Sequence, residues 1–323
     1  MNCKPGRGYF VGGSATASGR NMGNLVIVDY YVVLPCGWQG LSHCPVKRMS
    51  LMKKIAAVAL MCACAVAVAQ TPPRKHLLVL GEEKGYRHES VSHAMAVIEQ
   101  LGEKSGLWDT TIRTDTEPLT KKKLEFNAKN LNDFDAILMF TGGDLEMDAQ
   151  QRADFLSFIH DDGKGLIGVH SAAITWVKWP EFVDMLGGDF DEHPWKTFNA
   201  PIIVEDPGFP GMQQWPHEFM LTDEIYQMKD FSRDKVRVLM RLDPCKLDLD
   251  NPRVHRKDHD FAVTWAKSYG KGRVYYSTLG HPKENWDDPR LQTMYTEAIK
   301  WAMGLESADI TPQPAPAGDA ACK

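Results

Sequence analysis

Histidines and carboxylates lie close to the ends of apolar, strand-like segments at several places along the chain. In chain order, the residues of interest are His88, His170, His193, Glu224 and His281. Imidazole titrates near neutral pH, so histidine is suited to take up or release a proton during a reaction. A single histidine is more often a structural residue, but the recurrence of such residues at one edge of a sheet favours a functional site.

His170 stands out because it lies between a predicted strand and the turn that follows, in the segment Gly168-Val169-His170-Ser171-Ala172. A tight turn with small neighbours lifts a side chain into the crevice at the end of a sheet. We therefore assign His170 as the base and Glu224 or His281 as its acid partner. Arg87 or His88 would stabilise a developing oxyanion.

The same residue types could instead hold a metal ion. His88, His170, His193, His281 and Glu224 all carry suitable ligand atoms, but no HxH or HExxH spacing supports a metal site. We therefore expect neither a metal nor another cofactor, and keep a divalent metal as the alternative.

Substrate contacts are predicted for residues around the same turns. They are Tyr86, Arg87, Gly143, Ser171, His193, Trp195, Tyr226 and Trp286. Aromatic faces can stack on sugars, and Trp176, Trp179, Trp195 and Trp286 could serve in this way. A carbohydrate-binding module that does not turn over its ligand is therefore the alternative to an enzyme.

The elements that must position these residues follow a strand–helix–strand pattern in the first half of the chain. Strands are predicted over 76–80, 109–113, 136–140 and 166–169, and helices over 90–104, from Asp148 onward and over 179–186. This alternation is typical of a parallel sheet with helices on both faces. In such folds, ligands bind outside the carboxyl ends of the strands.

The second half of the chain is richer in predicted strands. They cover 201–205, 224–228, 235–242, 261–268 and 273–278, before a final helix over 289–303. The fold class is therefore α/β, with a doubly wound, mainly parallel sheet and a β-rich C-terminal half. This domain is predicted to span residues 74–305, followed by a flexible Pro/Ala-rich tail over 306–323.

The N-terminal region carries an export signal. Lys53 and Lys54 precede an apolar run over 55–68, and Ala67-Val68-Ala69 matches the small-x-small pattern of a signal-peptidase site. We interpret 49–69 as a signal peptide, which places the mature protein in the periplasm or outside the cell. The alternative is a membrane anchor, but the apolar run is shorter than the roughly 20 residues needed to cross a bilayer.

Residues 1–48 precede this signal, although signal peptides begin a chain. We expect translation to start at Met49 or Met52, and the upstream segment to be disordered and to result from a wrongly assigned start codon. After cleavage, no stable membrane span is expected.

The amino-acid composition limits the kinds of partner and of catalytic group that we expect. Charged residues make up 24% of the chain, hydrophobic residues 43%, and the net charge is −5. A nucleic-acid partner would require a basic surface, so none is expected. Five of the seven cysteines lie before residue 70, which argues against a catalytic thiol.

Several motifs, in this order, resemble the trehalose-utilisation (ThuA-like) domain over residues 75–305. They include Gly85-Tyr86-Arg87-His88, Gly168-Val169-His170-Ser171, His193-Pro194-Trp195, Asp223-Glu224-Ile225-Tyr226 and Tyr276 to His281. The family is similar in fold to the class I glutamine amidotransferases, which are flavodoxin-like. Those enzymes have a cysteine where this chain has His170, so the resemblance excludes glutamine amidotransferase activity.

The resemblance implies that the ligand is a small carbohydrate. Members of the family accompany dehydrogenases that oxidise disaccharides to 3-keto sugars, which implies action on a keto-glycoside as a hydrolase, lyase or isomerase. A carbonyl at C3 acidifies the neighbouring C–H, so a base could remove that proton and expel the glycosidic oxygen.

Overall fold

Short apolar segments form the centre of a nine-stranded sheet in the computed structural model, which describes residues 73–315. The predictions for 1–48, for the signal peptide over 49–69 and for the tail beyond residue 315 lie outside the described residues. Within the described part of the tail, Ala308 and Ile310 are partly buried and pack against the main core.

The sheet has a parallel centre. Five strands form it: β1 (Lys75–Leu80), β2 (Trp108–Arg113), β3 (Ala136–Met139), β4 (Gly165–Val169) and β11 (Gly272–Ser277). They are adjacent in the order β2-β1-β3-β4-β11, and each neighbouring pair is parallel. β3 and β4 are apolar and buried along their whole length, as is typical of central strands covered on both faces, whereas the edge strand β2 is more polar and only partly buried.

An antiparallel extension continues from β11. The remaining strands are β5 (Asp189–Glu192), β6 (Thr197–Val204), β7 (Glu218–Glu224), β8 (Gln227–Lys229), β9 (Arg237–Leu242) and β10 (Ala262–Tyr269). The main sheet continues β11-β10-β9-β6-β7, while β5 and β8 form a separate two-stranded sheet. The β-rich second half is thus joined to the parallel half through the β10–β11 hairpin.

Helices cover both faces of the parallel centre. They are α1 (Ser90–Ser105), α2 (Ala149–His160), α3 (Pro180–Leu186) and α4 (Pro289–Ala302). Alternate residues of β1 enter different cores: Leu77 and Val79 pack with α1 and α4, whereas Leu78 and Leu80 pack with α2 and α3. This division follows from the two-residue period of a strand. It confirms the predicted doubly wound α/β fold.

Two predicted strands of the second half are wrong in their limits. The strand predicted over 201–205 begins four residues earlier, as β6 (Thr197–Val204). The segment 224–228 was assigned as a single strand, but β7 ends at Glu224 and β8 begins at Gln227. Ile225 and Tyr226 lie between them, fully or almost fully buried. Buried apolar side chains in a connection between strands resemble a strand in the sequence. The short strand β5 was not predicted.

Stability of this sheet should depend on its central strands. Leu138 in β3 is 1% exposed, so Leu138→Ala should lower the free energy of unfolding by about 2–5 kcal/mol through lost burial and a cavity. Met220 in β7 is 50% exposed, and Met220→Ala should change it by less than about 0.5 kcal/mol. Denaturant titration of both variants checks this, and equal losses would contradict the assigned core.

Candidate active site

Four polar side chains from separate turns converge at the carboxyl edge of the parallel strands. His88 follows β1, His170 follows β4, His281 follows β11, and Glu224 ends β7. One ligand-type atom from each of the four lies within 4.8 Å of the others. We call these four residues the histidine–glutamate cluster. All four were predicted as catalytic candidates, and the structure brings them together.

His170 occupies an unusual backbone conformation. Its φ is 42°, in the left-handed region that non-glycine residues rarely adopt, at the start of a 3₁₀ turn over His170–Ile174. Such a conformation costs on the order of 1–3 kcal/mol and persists only where surrounding contacts hold it. Tyr276 helps to hold it, because its hydroxyl donates a 2.8 Å hydrogen bond to the His170 carbonyl oxygen.

The His170 ring is fully buried and has a defined tautomer. Its Nδ1 lies 2.7 Å from the carbonyl oxygen of Thr278, which can only accept, so Nδ1 carries the proton. Its Nε2 lies 2.8 Å from the Tyr226 hydroxyl. Burial, opposed in part by Glu224, lowers the pKa of His170 to about 4. The ring is therefore neutral near pH 7, with the Nε2 lone pair facing the cluster.

Burial also keeps Tyr226 protonated, because it raises the pKa of this phenol well above its ordinary value. Its hydroxyl is therefore the donor in the bond to His170 Nε2. The two rings lie 4.3 Å apart between centroids.

His88 is oriented by a second carboxylate. Its Nδ1 lies 2.5 Å from Glu83 Oε1, and its backbone N–H donates to Glu83 Oε2 over 2.7 Å. Ser171 also donates to Glu83, over 3.1 Å. Because an ionised carboxylate only accepts, the His88 proton lies on Nδ1, which leaves Nε2 for the cluster.

Asp223 fixes the turn that carries His281. Its buried carboxylate accepts the backbone N–H groups of Gly280 (2.8 Å) and His281 (3.1 Å) and the side-chain amide of Asn285 (2.9 Å). Burial raises the pKa of Asp223 to about 7, although these donors oppose the shift. Gly280 has φ 117° and lies against Trp286, where a Cβ would come within 3.0 Å of the indole.

Glu224 points its two oxygens in different directions. Oε2 lies 3.5 Å from His170 Nε2 and 3.4 Å from His281 Nδ1, whereas Oε1 lies 4.0 Å from His193 Nδ1. Burial would raise the pKa of Glu224, but the facing histidines more than offset this, so it lies below its ordinary value. Glu224 thus lies between the histidines of the cluster and a fourth histidine, His193.

A cavity of about 460 Å³ opens above the cluster. Its lining residues are Tyr86, His88, Ile174, Phe190, His193, Lys196, Thr197, Glu224, Tyr226 and His281. The volume lies within the range of about 300–1,000 Å³ that is typical of small-molecule sites. His170 does not line the cavity and lies behind Tyr226 and His281. Chemistry on a ligand would therefore involve the other three cluster residues directly.

Three predicted substrate contacts line this cavity: Tyr86, His193 and Tyr226. Arg87 is exposed but is not among the lining residues. Ser171 is buried and bonds to Glu83, so it acts behind the cluster.

Gly143 also lies away from the ligand space. It has φ 87°, and a Cβ there would come within 2.1 Å of the Lys84 carbonyl oxygen. Close approach of two loops explains this glycine.

The predicted tryptophan platforms are absent from the cavity lining. Trp286 is fully buried, stacks on Tyr295 and donates to the Gly280 carbonyl. Trp176 and Trp179 belong to the core beneath α3. Trp195 packs against Phe198 and Phe261. Their large apolar areas made them equally good candidates for the core, and Tyr86 and Phe190 supply the aromatic faces of the cavity instead.

Sequence reasoning missed Glu83, Asp223, Phe190 and Lys196. Glu83 could have been found, because it follows β1 and lies five residues before His88. Asp223 directly precedes a predicted site residue, but its role depends on contacts 57 and 58 residues away. No local pattern signals such contacts.

The fold and the cluster together define a class: a doubly wound α/β protein with a histidine–glutamate centre at the carboxyl edge of its sheet. The chain belongs to the ThuA family, described as trehalose utilisation, whose pattern matches residues 76–302. That description points to a carbohydrate-related role. No curated protein matches the chain significantly.

Solved structures agree on the fold. A ThuA-like protein from Bacteroides uniformis has 24% sequence identity and a TM-score of 0.57, over 72% of this chain and 92% of that one. A ThuA-like protein from Parabacteroides merdae has 18% identity and a TM-score of 0.56, over 76% and 94%. At these identities, the likeness shows the fold alone.

Between residues 73 and 315, no helix has both the length and the apolar character required to cross a bilayer.

The Asp223 contacts lead to a stability prediction. Asp223→Asn replaces an acceptor oxygen with an amide donor that faces backbone N–H groups, so the free energy of unfolding should fall by about 1–3 kcal/mol. Asp287→Asn is the matched control, since the Asp287 side chain is 69% exposed. Urea denaturation measures both variants. An Asp223→Asn protein as stable as the control would show that this carboxylate does not hold the turn.

Proposed function

We propose that the chain is a carbohydrate-utilisation enzyme that cleaves 3-keto-glycosides in the cavity above the histidine–glutamate cluster. The observation that carries the proposal is the convergence of His88, His170, Glu224 and His281 within 4.8 Å, with all but His170 lining the cavity. Polar groups gathered in this way can stabilise charge that develops on a substrate oxygen. The family description supports a carbohydrate as the ligand.

The cavity suits a sugar in its surface chemistry. Tyr86 and Phe190 offer aromatic faces, and Lys196 and Thr197, at the start of β6, offer hydrogen-bond donors. The Tyr86 ring is largely exposed and meets the His88 ring edge-on at 4.8 Å between centroids. A sugar ring held against Tyr86 would therefore lie next to the cluster.

Proton transfer is best assigned to His193. The His170 ring is buried, its two nitrogens already have partners, and it does not reach the cavity. His193 lines the cavity, with its side chain 33% exposed, and its Nδ1 faces Glu224 Oε1. We therefore move the role of base from His170 to His193, whose Nδ1 lies 3.5 Å from an Arg253 side-chain nitrogen, 3.7 Å from Glu192 Oε1 and 4.0 Å from Glu224 Oε1. His170 becomes a positioning residue.

The proposed reaction is an elimination. His193 takes the C2 proton, and the C–H electron pair forms a C2–C3 enediolate whose C3 oxygen is stabilised by the cluster. The C3 carbonyl then re-forms, a C1–C2 double bond appears, and the C1–O bond breaks. The departing oxygen takes the proton from His193, which restores the neutral imidazole. The products are an unsaturated 3-keto sugar and the free alcohol, so atoms balance without any redox partner.

A direct test is to incubate the full chain with a 3-keto-disaccharide and to measure the released monosaccharide. The keto form should be cleaved and the parent disaccharide should not, because only the carbonyl acidifies C2. His193→Gln should lower kcat by about 10²- to 10⁴-fold, which is the usual contribution of a positioned base. His255→Gln is the control, since His255 is outside the cavity lining and should retain full activity.

The outcomes separate the two functions. Tight binding of the keto-disaccharide without conversion would replace the enzyme with a carbohydrate-binding module. Neither binding nor conversion across a panel of keto-glycosides would reject the substrate class. Cleavage by the His193→Gln variant at the same rate as by the parent would reject His193 as the base.

Tyr86 should determine substrate affinity rather than rate. Tyr86→Ala removes an exposed aromatic face and should raise KM about three- to tenfold with little change in kcat, as expected for a lost stacking contact of about 0.5–1.5 kcal/mol. Tyr86→Phe keeps the ring and should behave like the parent. Steady-state kinetics on the keto-disaccharide compare the two, and an unchanged KM in Tyr86→Ala would place the sugar elsewhere.

A further inference from the structure

We propose that the histidine–glutamate cluster is a binding site for one divalent transition-metal ion, with His88, His170, Glu224 and His281 as its ligands. Four ligand-type atoms within 4.8 Å of one another, drawn from four separate turns, form a compact donor set. The ion would bind to the protein in the absence of substrate, so metal binding can be measured without the proposed reaction.

Distances within the cluster match those around an ion. His170 Nε2 lies 3.1 Å from His281 Nδ1, and Glu224 Oε2 lies 3.5 Å and 3.4 Å from these two nitrogens. Ligands bonded at about 2.0–2.1 Å to a tetrahedral ion lie about 3.3 Å apart. The three atoms therefore form a triangle with the dimensions of one face of such a tetrahedron. The His88 ligand atom lies within 4.8 Å of these three atoms, so it would move closer to complete the tetrahedron as the fourth ligand.

Hydrogen bonds behind the cluster orient two of the ligands. His170 donates through Nδ1 to a backbone carbonyl, and His88 donates through Nδ1 to the Glu83 carboxylate. Metal-binding histidines characteristically donate their second N–H to such groups, which fixes the tautomer and directs the other nitrogen to the ion. Both rings thus use Nδ1 for a hydrogen bond and can bind an ion through Nε2.

Hydrogen bonding alone accounts poorly for the cluster. His170 Nε2 has a single lone pair, yet the Tyr226 hydroxyl lies 2.8 Å away and His281 Nδ1 lies 3.1 Å away. An ion bound through that lone pair would replace the hydrogen bond from Tyr226, so the hydroxyl would have to turn away from His170. A cation between the two imidazole nitrogens and Glu224 gives each of these atoms an electron-pair acceptor.

The donor set indicates which ions would bind. Imidazole nitrogen suits zinc, copper, iron and nickel, whereas magnesium and calcium prefer sites made of oxygen atoms. Three histidines and one carboxylate therefore favour Zn²⁺ strongly over Mg²⁺. One ligand carboxylate would leave a bound dication with a net positive charge, which would attract an enediolate oxygen formed nearby in the cavity. His193 is not one of the four ligands, so it stays free to act as the base.

The test is calorimetric titration of the full chain after dialysis against a chelator. Zn²⁺ should bind with a stoichiometry of one, and Mg²⁺ should give no measurable heat. Glu83→Gln should weaken Zn²⁺ binding by about 10- to 100-fold, as is usual for a partner that orients a ligand. Glu224→Gln and His281→Ala remove ligands and should weaken it further. His255→Gln should bind as the parent does.

Each variant is first checked for folding by its melting temperature in the presence of chelator, so that lost binding is not confused with unfolding. Weak Zn²⁺ binding that is unchanged by Glu224→Gln or His281→Ala would overturn the site. So would no binding of Zn²⁺, Ni²⁺ or Mn²⁺ to the folded parent.

The two proposals can fail separately. Cleavage of the keto-disaccharide at full rate in chelator, without zinc binding, would remove the metal site and leave the proposed function intact. Stoichiometric zinc binding without cleavage would support the metal site and reject the proposed function.

Discussion

The contact between the Asp223 carboxylate and the backbone after β11 is the constraint on which the rest of the site depends. Asp223 lies in β7, and three strands separate β7 from β11 in the sheet. Nevertheless, Asp223 accepts the backbone N–H groups of Gly280 and His281. The antiparallel half must therefore curve back over the carboxyl edge of the parallel half. That curvature brings Glu224 to the three histidines, and a buried carboxylate with several donors holds it in place.

The sequence predicted the proximity of the histidines that follow parallel strands. His88, His170 and His281 lie together because the carboxyl ends of β1, β4 and β11 are at one edge of the sheet. Arg87, Gly143 and Ser171 also follow such strands but do not line the cavity, since position after a strand does not fix where a side chain points. Glu224 joins the three histidines although its strand limits were predicted wrongly, because its antiparallel strand reaches the cluster through curvature that no local pattern encodes. Tryptophans were misjudged for a different reason: a large aromatic residue near a site motif satisfies the core and a binding surface equally well. Only the three-dimensional packing shows that Trp286 is a core residue, because it stacks on Tyr295.

Stability and chemistry make opposing demands at His170. Its left-handed backbone and its fully buried, polar ring both cost free energy. The surrounding structure offsets this cost with directed hydrogen bonds from Tyr276 and Tyr226 and to the Thr278 carbonyl. Two of these three partners lie at the end of β11 or just after it, so the central strand pair β4–β11 both supports the fold and sets the orientation of the ring. His170 is therefore held by several hydrogen bonds although it does not line the cavity.

The division of the sheet into two halves has a consequence for how the cluster is built. His170 and His281 are 111 residues apart in the chain, and Glu224 is supplied by the antiparallel half. The parallel half alone would bring three imidazoles to one edge, with Glu83 beside His88 but without Glu224. The arrangement of the four side chains therefore depends on contacts between the two halves as much as on either half.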